Sequence, residues 1–115
     1  MTGTGKLFVV SAPSGAGKTT LVNKVLSRFK NLFYSVSHTT RSPRKNEQDG
    51  LDYFFISSDD FKKKITRKYW LEWAKVHDNF YGTSKEFVKK SLEKGQSLIL
   101  DIDVQGAEQI MALDL

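Results

Sequence analysis

The stretch that most constrains this chain is Ser11–Thr20, SAPSGAGKTT, set between the apolar run Leu7–Val10 and a stripe of Leu21, Val22, Val25, Leu26 and Phe29. Strand, glycine-rich turn and amphipathic helix, in that order, let a backbone curl around a phosphate. The spacing follows G-x-x-x-x-G-K-[ST] at Gly17, Lys18 and Thr19, with Ala12 where the first glycine would stand. Pro13 accounts for the exception, because the residue before a proline is pushed toward extended backbone where a β-carbon costs little. Gly15 and Gly17 allow successive N–H groups to turn inward. Lys18 supplies a mobile positive charge, Thr19 a hydroxyl suited to Mg2+, and the helix that follows its N-terminal dipole.

The spacing predicts a buried strand at Lys6–Ser11 and a helix over Thr19–Lys30. From about Ser35 to Gly82 the texture changes: short strands are expected at Phe33–Ser37, Tyr53–Ser57 and Leu71–His77, with polar loops between them. A helix is expected over Ser58–Lys68, where Phe61, Ile65 and the following Tyr69 recur at i, i+4 and i+8, and Ser57 and Asp60 are spaced as its capping box. Thr83 and Glu86 repeat that spacing before a helix ending near Lys94–Gly95. Ser97–Ile102 reads as a fully buried strand. Asp101 and Asp103 then share one side at its carboxyl end, the usual ligand crevice of an open α/β sheet. The alternative is that one of them caps the next helix. Together these elements predict an α/β fold with a parallel core and a right-handed crossover, interrupted by a small α+β insertion. The core is expected over 1–36 and 84–115 and the insertion over 37–83. With only two core strands visible, Ser97–Ile102 is expected to be left bare at an edge or face.

Composition narrows the partners. A chain of 115 residues is at most one ordinary domain and buries roughly 65% of its unfolded surface. It contains no cysteine, which excludes disulfides and thiolate metal sites and suits a reducing compartment. Its apolar runs fall far short of the ~20 residues that cross a bilayer, and the N-terminus lacks the apolar core of a signal peptide. A cytoplasmic protein with no membrane partner is expected. The net charge of +5 admits anionic partners. Lysines in Lys62–Lys68, however, read as the solvated face of a helix, so no nucleic-acid partner is expected.

A second basic cluster, TTRSPRK at Thr39–Lys45, has another character. Arg41 and Arg44 are two guanidinium forks in one loop, suited to bidentate phosphate binding. Tyr53 and Tyr81 can each offer a phenolic O–H to the same phosphate. Glu72, among apolar neighbours, can accept from two adjacent N–H donors.

The chain as a whole resembles the N-terminal part of a guanylate kinase. VSAPSGAGKTTL, VSHTTRSPR, DGLDYFF, NFYGTS and ILDIDVQGA match that family's landmarks in order. The resemblance implies a P-loop nucleoside monophosphate kinase fold whose inserted domain binds GMP and whose core is incomplete at the C-terminus. It implies transfer of the γ-phosphoryl of ATP to GMP, giving ADP and GDP, with Mg2+ accompanying ATP. ATP would be held by Ala12, Pro13, Ser14, Gly15, Ala16, Gly17, Lys18, Thr19 and Thr20. Ser37, Glu72, Thr83 and Asp103 would read guanine, and Arg41, Arg44, Tyr53, Tyr81 and Gly82 would complete the GMP site. Lys18, Arg41 and Arg44 would serve catalysis, and Thr19 and Asp101 the metal. Homo-oligomerisation stays open. The competing reading is a non-catalytic guanylate-kinase-like interaction module, which has no need of an intact phosphate cradle and both arginines. Members of the family continue past the point matching Leu115 into a lid and an adenine-binding loop. The purified 115-residue chain is therefore expected to form little or no ADP from ATP and GMP in a coupled assay; robust GMP-dependent turnover would contradict that.

Overall fold

A computed structural model describes residues 5–11 and 18–113, with Lys18 and Thr19 described by their backbone alone. In chain order the elements are β1 (Leu7–Val10), α1 (Lys18–Arg28), β2 (Leu32–Tyr34), β3 (His38–Thr39), β4 (Phe54–Phe55) and α2 (Ser58–Thr66). There follow β5 (Trp70–Val76), β6 (Asn79–Ser84), α3 (Lys85–Glu93), β7 (Ser97–Asp101) and α4 (Val104–Met111).

The strands form two sheets. The first is parallel, in the order β1-β7-β2, with Val10 opposite Asp101 and Tyr34 opposite Ile99. The expected parallel core is thus present, and β2 is the strand that the periodicity failed to place in it. The expectation for Ser97–Ile102 is corrected: β7 is the central strand, paired on both sides, because β2 occupies the edge thought to be empty. β1 in turn is an edge strand and not fully buried, with Phe8 48% exposed. On one face of this sheet Leu98 and Leu100 pack with Val88 of α3 and with Ala107 and Ile110 of α4. The other face meets α1 across a groove of about 430 Å³ lined by Val10, Val25, Phe29, Leu32 and Ile99. Of the predicted α1 stripe only Val22 is buried, while Leu21 and Phe29 are more than half exposed.

The second sheet runs β4-β3-β6-β5, with β3 and β4 parallel and the remaining pairs antiparallel. β6 has no counterpart among the predicted strands. The β5–β6 hairpin turns at His77 and Asp78, whose φ values of 49° and 69° are those of a type I′ turn. His-Asp lacks the Asn-Gly or Asp-Gly signature, so the turn and its second strand escape a reading of composition.

Between Trp70 and Glu72 the register shifts: Trp70 opposes Ser84 and Glu72 opposes Thr83, leaving Leu71 as the extra residue of a bulge. Without it, alternation would place Trp70 and Glu72 on the same face. With it, Trp70 joins an aromatic layer and Glu72 turns to the other side. Phe61 of α2 stacks on Trp70 at 4.3 Å and on Phe80 at 5.1 Å, and its side chain is wholly buried. A β-carbon on Gly82 would come within 2.9 Å of Phe61 and 2.8 Å of Trp70, so close packing explains a glycine there.

Capping follows the sequence in part. Ser57 caps α2 by accepting from the Asp60 N–H. At α3 the cap is Ser84, accepting from the Phe87 N–H at 3.2 Å, and not Thr83. Thr83 is diverted because its hydroxyl faces Glu72 across the hairpin. Removing the Phe61 ring leaves a cavity between α2 and the second sheet, so Phe61→Ala should cost about 3–5 kcal/mol. Urea unfolding followed by tryptophan fluorescence should show a lower midpoint at an unchanged slope.

Candidate functional site

The three strands of the first sheet are parallel, so their carboxyl ends lie along one edge. At that edge β1 leads through Ser11 toward α1, β2 leads into β3, and β7 ends at Asp101. Ala12, Pro13, Ser14, Gly15, Ala16 and Gly17, and the reading of the Ala12–Pro13 pair, lie outside the described residues. Lys18 and Thr19 open α1, and Thr20 follows with an exposed side chain.

The second sheet gathers most of the other predicted residues on one face. Thr39 opposes Tyr81, Tyr81 opposes Ala74, and Glu72 opposes Thr83. Directly opposed residues share a face, and Tyr81 and Thr83 are two apart on β6, about 7 Å along the strand.

At the Tyr81 end stands a cationic cluster. Arg41 Nη1 and Nη2 donate to Glu47 Oε1 and Oε2, both at 2.9 Å, and Nη1 also donates to the Ser42 carbonyl. The guanidinium lies 5.2 Å from the centre of the Tyr53 ring, and Tyr53 meets Tyr81 edge-on at 6.0 Å. The Arg44 backbone N–H donates to the same Glu47 Oε1 at 2.7 Å. Glu47, which holds Arg41 in this cluster, is a residue that the sequence reading missed. Its signal is the first carboxylate after two arginines three residues apart. The Arg41 guanidinium and the Arg44 N–H hold the Glu47 carboxyl at about 2, well below the usual carboxylate range. The Glu47 carboxylate and, less strongly, the Tyr81 hydroxyl push Arg41 further up. Burial raises the Tyr53 phenol, and Asp101 adds to that from the end of β7. Burial and the Asp101 charge likewise raise Tyr34.

At the Thr83 end the site is nearly dry. Glu72 is 3% exposed and Thr83 fully buried, and the Thr83 hydroxyl donates to Glu72 Oε2 at 2.6 Å. Burial pushes the Glu72 carboxyl up, the Thr83 hydroxyl and N–H oppose that, and the nearby Asp103 charge adds to it. Ser37 is buried one residue before β3, and its carbonyl accepts from the Phe54 N–H. Gly82 offers only backbone on the opposite, aromatic side of β6.

Asp101 and Asp103 do not share a strand face. β7 ends at Asp101, and Asp103 is the N-cap of α4, its Oδ2 accepting from the Gln105 N–H at 2.9 Å. The capping alternative thus describes Asp103, whose other carboxylate oxygen stays available.

A family model described as guanylate kinase matches residues 4–115. Guanylate kinase of Dechloromonas aromatica is 51% identical over 109 residues, covering 95% of this chain and 54% of that protein. Guanylate kinase of Thermotoga maritima is 52% identical over 103 residues, covering 90% of this chain and 50% of that protein. A crystal structure of guanylate kinase from Anaplasma phagocytophilum superposes with a TM-score of 0.80 at 36% identity, covering 96% of this chain and 55% of that one. The chain belongs to the guanylate kinase family. It spans about half the length of the curated relatives it matches.

The Arg41–Glu47 pair makes stability depend on pH. Because the folded Glu47 value is lowered from 4.5 to about 2, its contribution is complete above 4.5 and is lost as pH falls toward 2. Wild type should exceed Glu47→Gln by roughly 1 kcal/mol at neutral pH, an advantage that vanishes near pH 2. Paired urea titrations across that range measure the difference.

Proposed function

We propose that this chain supplies the GMP-binding half and the phosphate loop of a guanylate kinase, which transfers the γ-phosphoryl of ATP to GMP. The fold in this reading is that of a P-loop nucleoside monophosphate kinase, with 37–83 as the GMP-binding insertion and 1–36 and 84–115 as partial core. The single observation that carries it is the division of one sheet face: a guanidinium–phenol cluster at Tyr81 and a dry carboxylate–hydroxyl pair at Thr83. A mononucleotide needs both ends, one for its phosphate and one for its base.

Arg41, Arg44, Tyr53 and Tyr81 would bind the GMP phosphate, with Glu47 holding Arg41 in place through Nη1 and Nη2 and leaving its remaining N–H groups for the phosphate. Glu72 would accept guanine N1–H and the exocyclic amine together. Adenine has no such donor pair, and a buried acceptor left unpaired penalises the wrong base strongly. Thr83 fixes the carboxylate, and Ser37 and Asp103 would complete the base site. Lys18 and the amides of Ala12–Thr20 would hold the ATP phosphates. The acceptor oxygen of a phosphate monoester is already ionised at neutral pH, so no general base is required. Positioning and charge neutralisation by Lys18, Arg41 and Arg44 make up the protein's share of the chemistry.

Mg2+ would suit the oxygen donors that this reading assigns to it. Asp101 offers a hard carboxylate oxygen at the end of β7, directly across from the strand that leads to Thr19, whose hydroxyl would be the second ligand. Bound there with ATP, Mg2+ would neutralise phosphate charge.

Titration calorimetry with GMP, AMP and ATP separately tests the reading. GMP should bind in preference to AMP, and Glu72→Gln should weaken GMP and erase most of that preference. Lys18→Ala should abolish ATP binding and leave GMP binding intact. Equal affinity for GMP and AMP in the unaltered chain would sink the assignment, as would a partner protein bound with no nucleotide affinity.

A further inference from the structure

Both α3 and α4 touch the two sheets, and the contact made by α4 falls at the Glu72 carboxylate. β5 is the outer strand of its sheet, so the Trp73 main-chain groups that face away from β6 need partners. Gln109 supplies both: its Oε1 accepts from the Trp73 N–H at 3.0 Å, and its Nε2 donates to the Trp73 carbonyl at 2.6 Å. One turn earlier, Gln105 Nε2 donates to the Lys75 carbonyl at 3.4 Å. Gly106 is buried beside them, and a β-carbon built on it would overlap Glu72 Oε1. Glycine inside a helix is poorer than alanine on propensity alone, so this glycine has a steric reason. The Glu72 carboxylate occupies the space that a methyl group would need.

We propose that α4 sets the aim of the Glu72 carboxylate, with Gln109 and Gly106 as positioning residues for base selection. This rests on the reading of Glu72 as the group that accepts from guanine. Gln109 clamps the β5 main chain one residue beyond Glu72. Gly106 provides the recess for Oε1, while Thr83 holds Oε2 from the other side. Hydrogen bonds weaken steeply once bent, so two parallel bonds to N1–H and the amine demand a fixed carboxylate plane. α4 begins just past the end of β7, which ties that plane to the core sheet.

The test titrates GMP and IMP calorimetrically into the full 115-residue chain and its variants, with thermal unfolding run alongside. IMP lacks the exocyclic amine, so the ratio of the two affinities reports how well the carboxylate faces both donors. Gln109→Ala should lower the GMP-to-IMP ratio roughly three- to tenfold. Gln109→Glu, which keeps the acceptor and loses the donor, should fall between wild type and Gln109→Ala. Gly106→Ala should lower the ratio at least as far, although helix propensity favours it. A ratio preserved in Gln109→Ala and Gly106→Ala, while Glu72→Gln collapses it, overturns the role of α4. Two affinities that fall in parallel with a lower melting temperature also overturn it, since they mark destabilisation alone. A ratio unmoved by Glu72→Gln fails the base-reading assignment itself, a result distinguishable from the other two.

Discussion

The register of the β5–β6 hairpin decides what each face of the second sheet can do. A strand alternates its side chains, and a shift of one residue exchanges the two faces. The bulge at Leu71 performs that exchange within β5: Trp70 enters the layer with Phe61 and Phe80, while Glu72, two residues on, emerges against Thr83. One face is thereby an aromatic core that fixes α2, and the other carries the polar site. Gly82 belongs to the same constraint, because a side chain there would press on the Trp70–Phe61 stack and push the hairpin apart.

On the polar face the two clusters are stabilised in opposite ways. Arg41 and Glu47 face each other as a forked, charge-assisted pair, so the cation is fully ionised and already oriented. Glu47 and the Ser42 carbonyl already take N–H groups of Nη1 and Nη2. An incoming phosphate would use the N–H groups that remain on a guanidinium already held in place, which lowers the ordering cost of binding. Glu72 is instead desolvated and served by one hydroxyl, so its charged form is under-solvated until further donors arrive. A ligand's anionic end would use the cation already held in place, and a paired-donor end would supply what Glu72 lacks; an isolated phosphate would leave Glu72 as it is.

Local signals carried far. The Lys6–Ser11 strand, the α1 helix after the glycine-rich turn, Ser57 as a cap and the carboxyl-end position of Asp101 were all legible, because each depends on neighbours within a few residues. Arg41, Tyr53 and Tyr81, widely separated in the chain, do come together, as do Glu72 and Thr83. What stayed hidden depends on pairing. A strand is expected at Phe33–Ser37, but that its start, β2, lies beside β7 in the core sheet is a long-range fact. β6 hides behind a His-Asp turn without glycine. Thr83 and Ser84 are adjacent hydroxyls that compete for one cap, and only the hairpin register tells which is left over for Glu72. Glu47 resembles any loop glutamate until Arg41 folds onto it. Gly106 and Gln109 carry no local signal, since their partners lie on another sheet.

That last contact bears on how a half-length chain would hold the base site proposed for it. The phosphate cluster and the Glu72–Thr83 pair both stand on the second sheet, yet the carboxylate's remaining wall is α4, which follows the core strand β7. In the proposed reading, base recognition would not belong to the second sheet alone. Any movement of that sheet relative to the core must either carry α4 with it or loosen the Gln109–Trp73 clamp and withdraw Gly106 from Glu72. A helix eight residues long, capped by Asp103 at the edge where the core strands end, makes the carboxylate's geometry report the relation between the two sheets. In the proposed reading, the contact that aims Glu72 would thereby couple base selection to the closeness of the core edge, where phosphate chemistry of this family would take place.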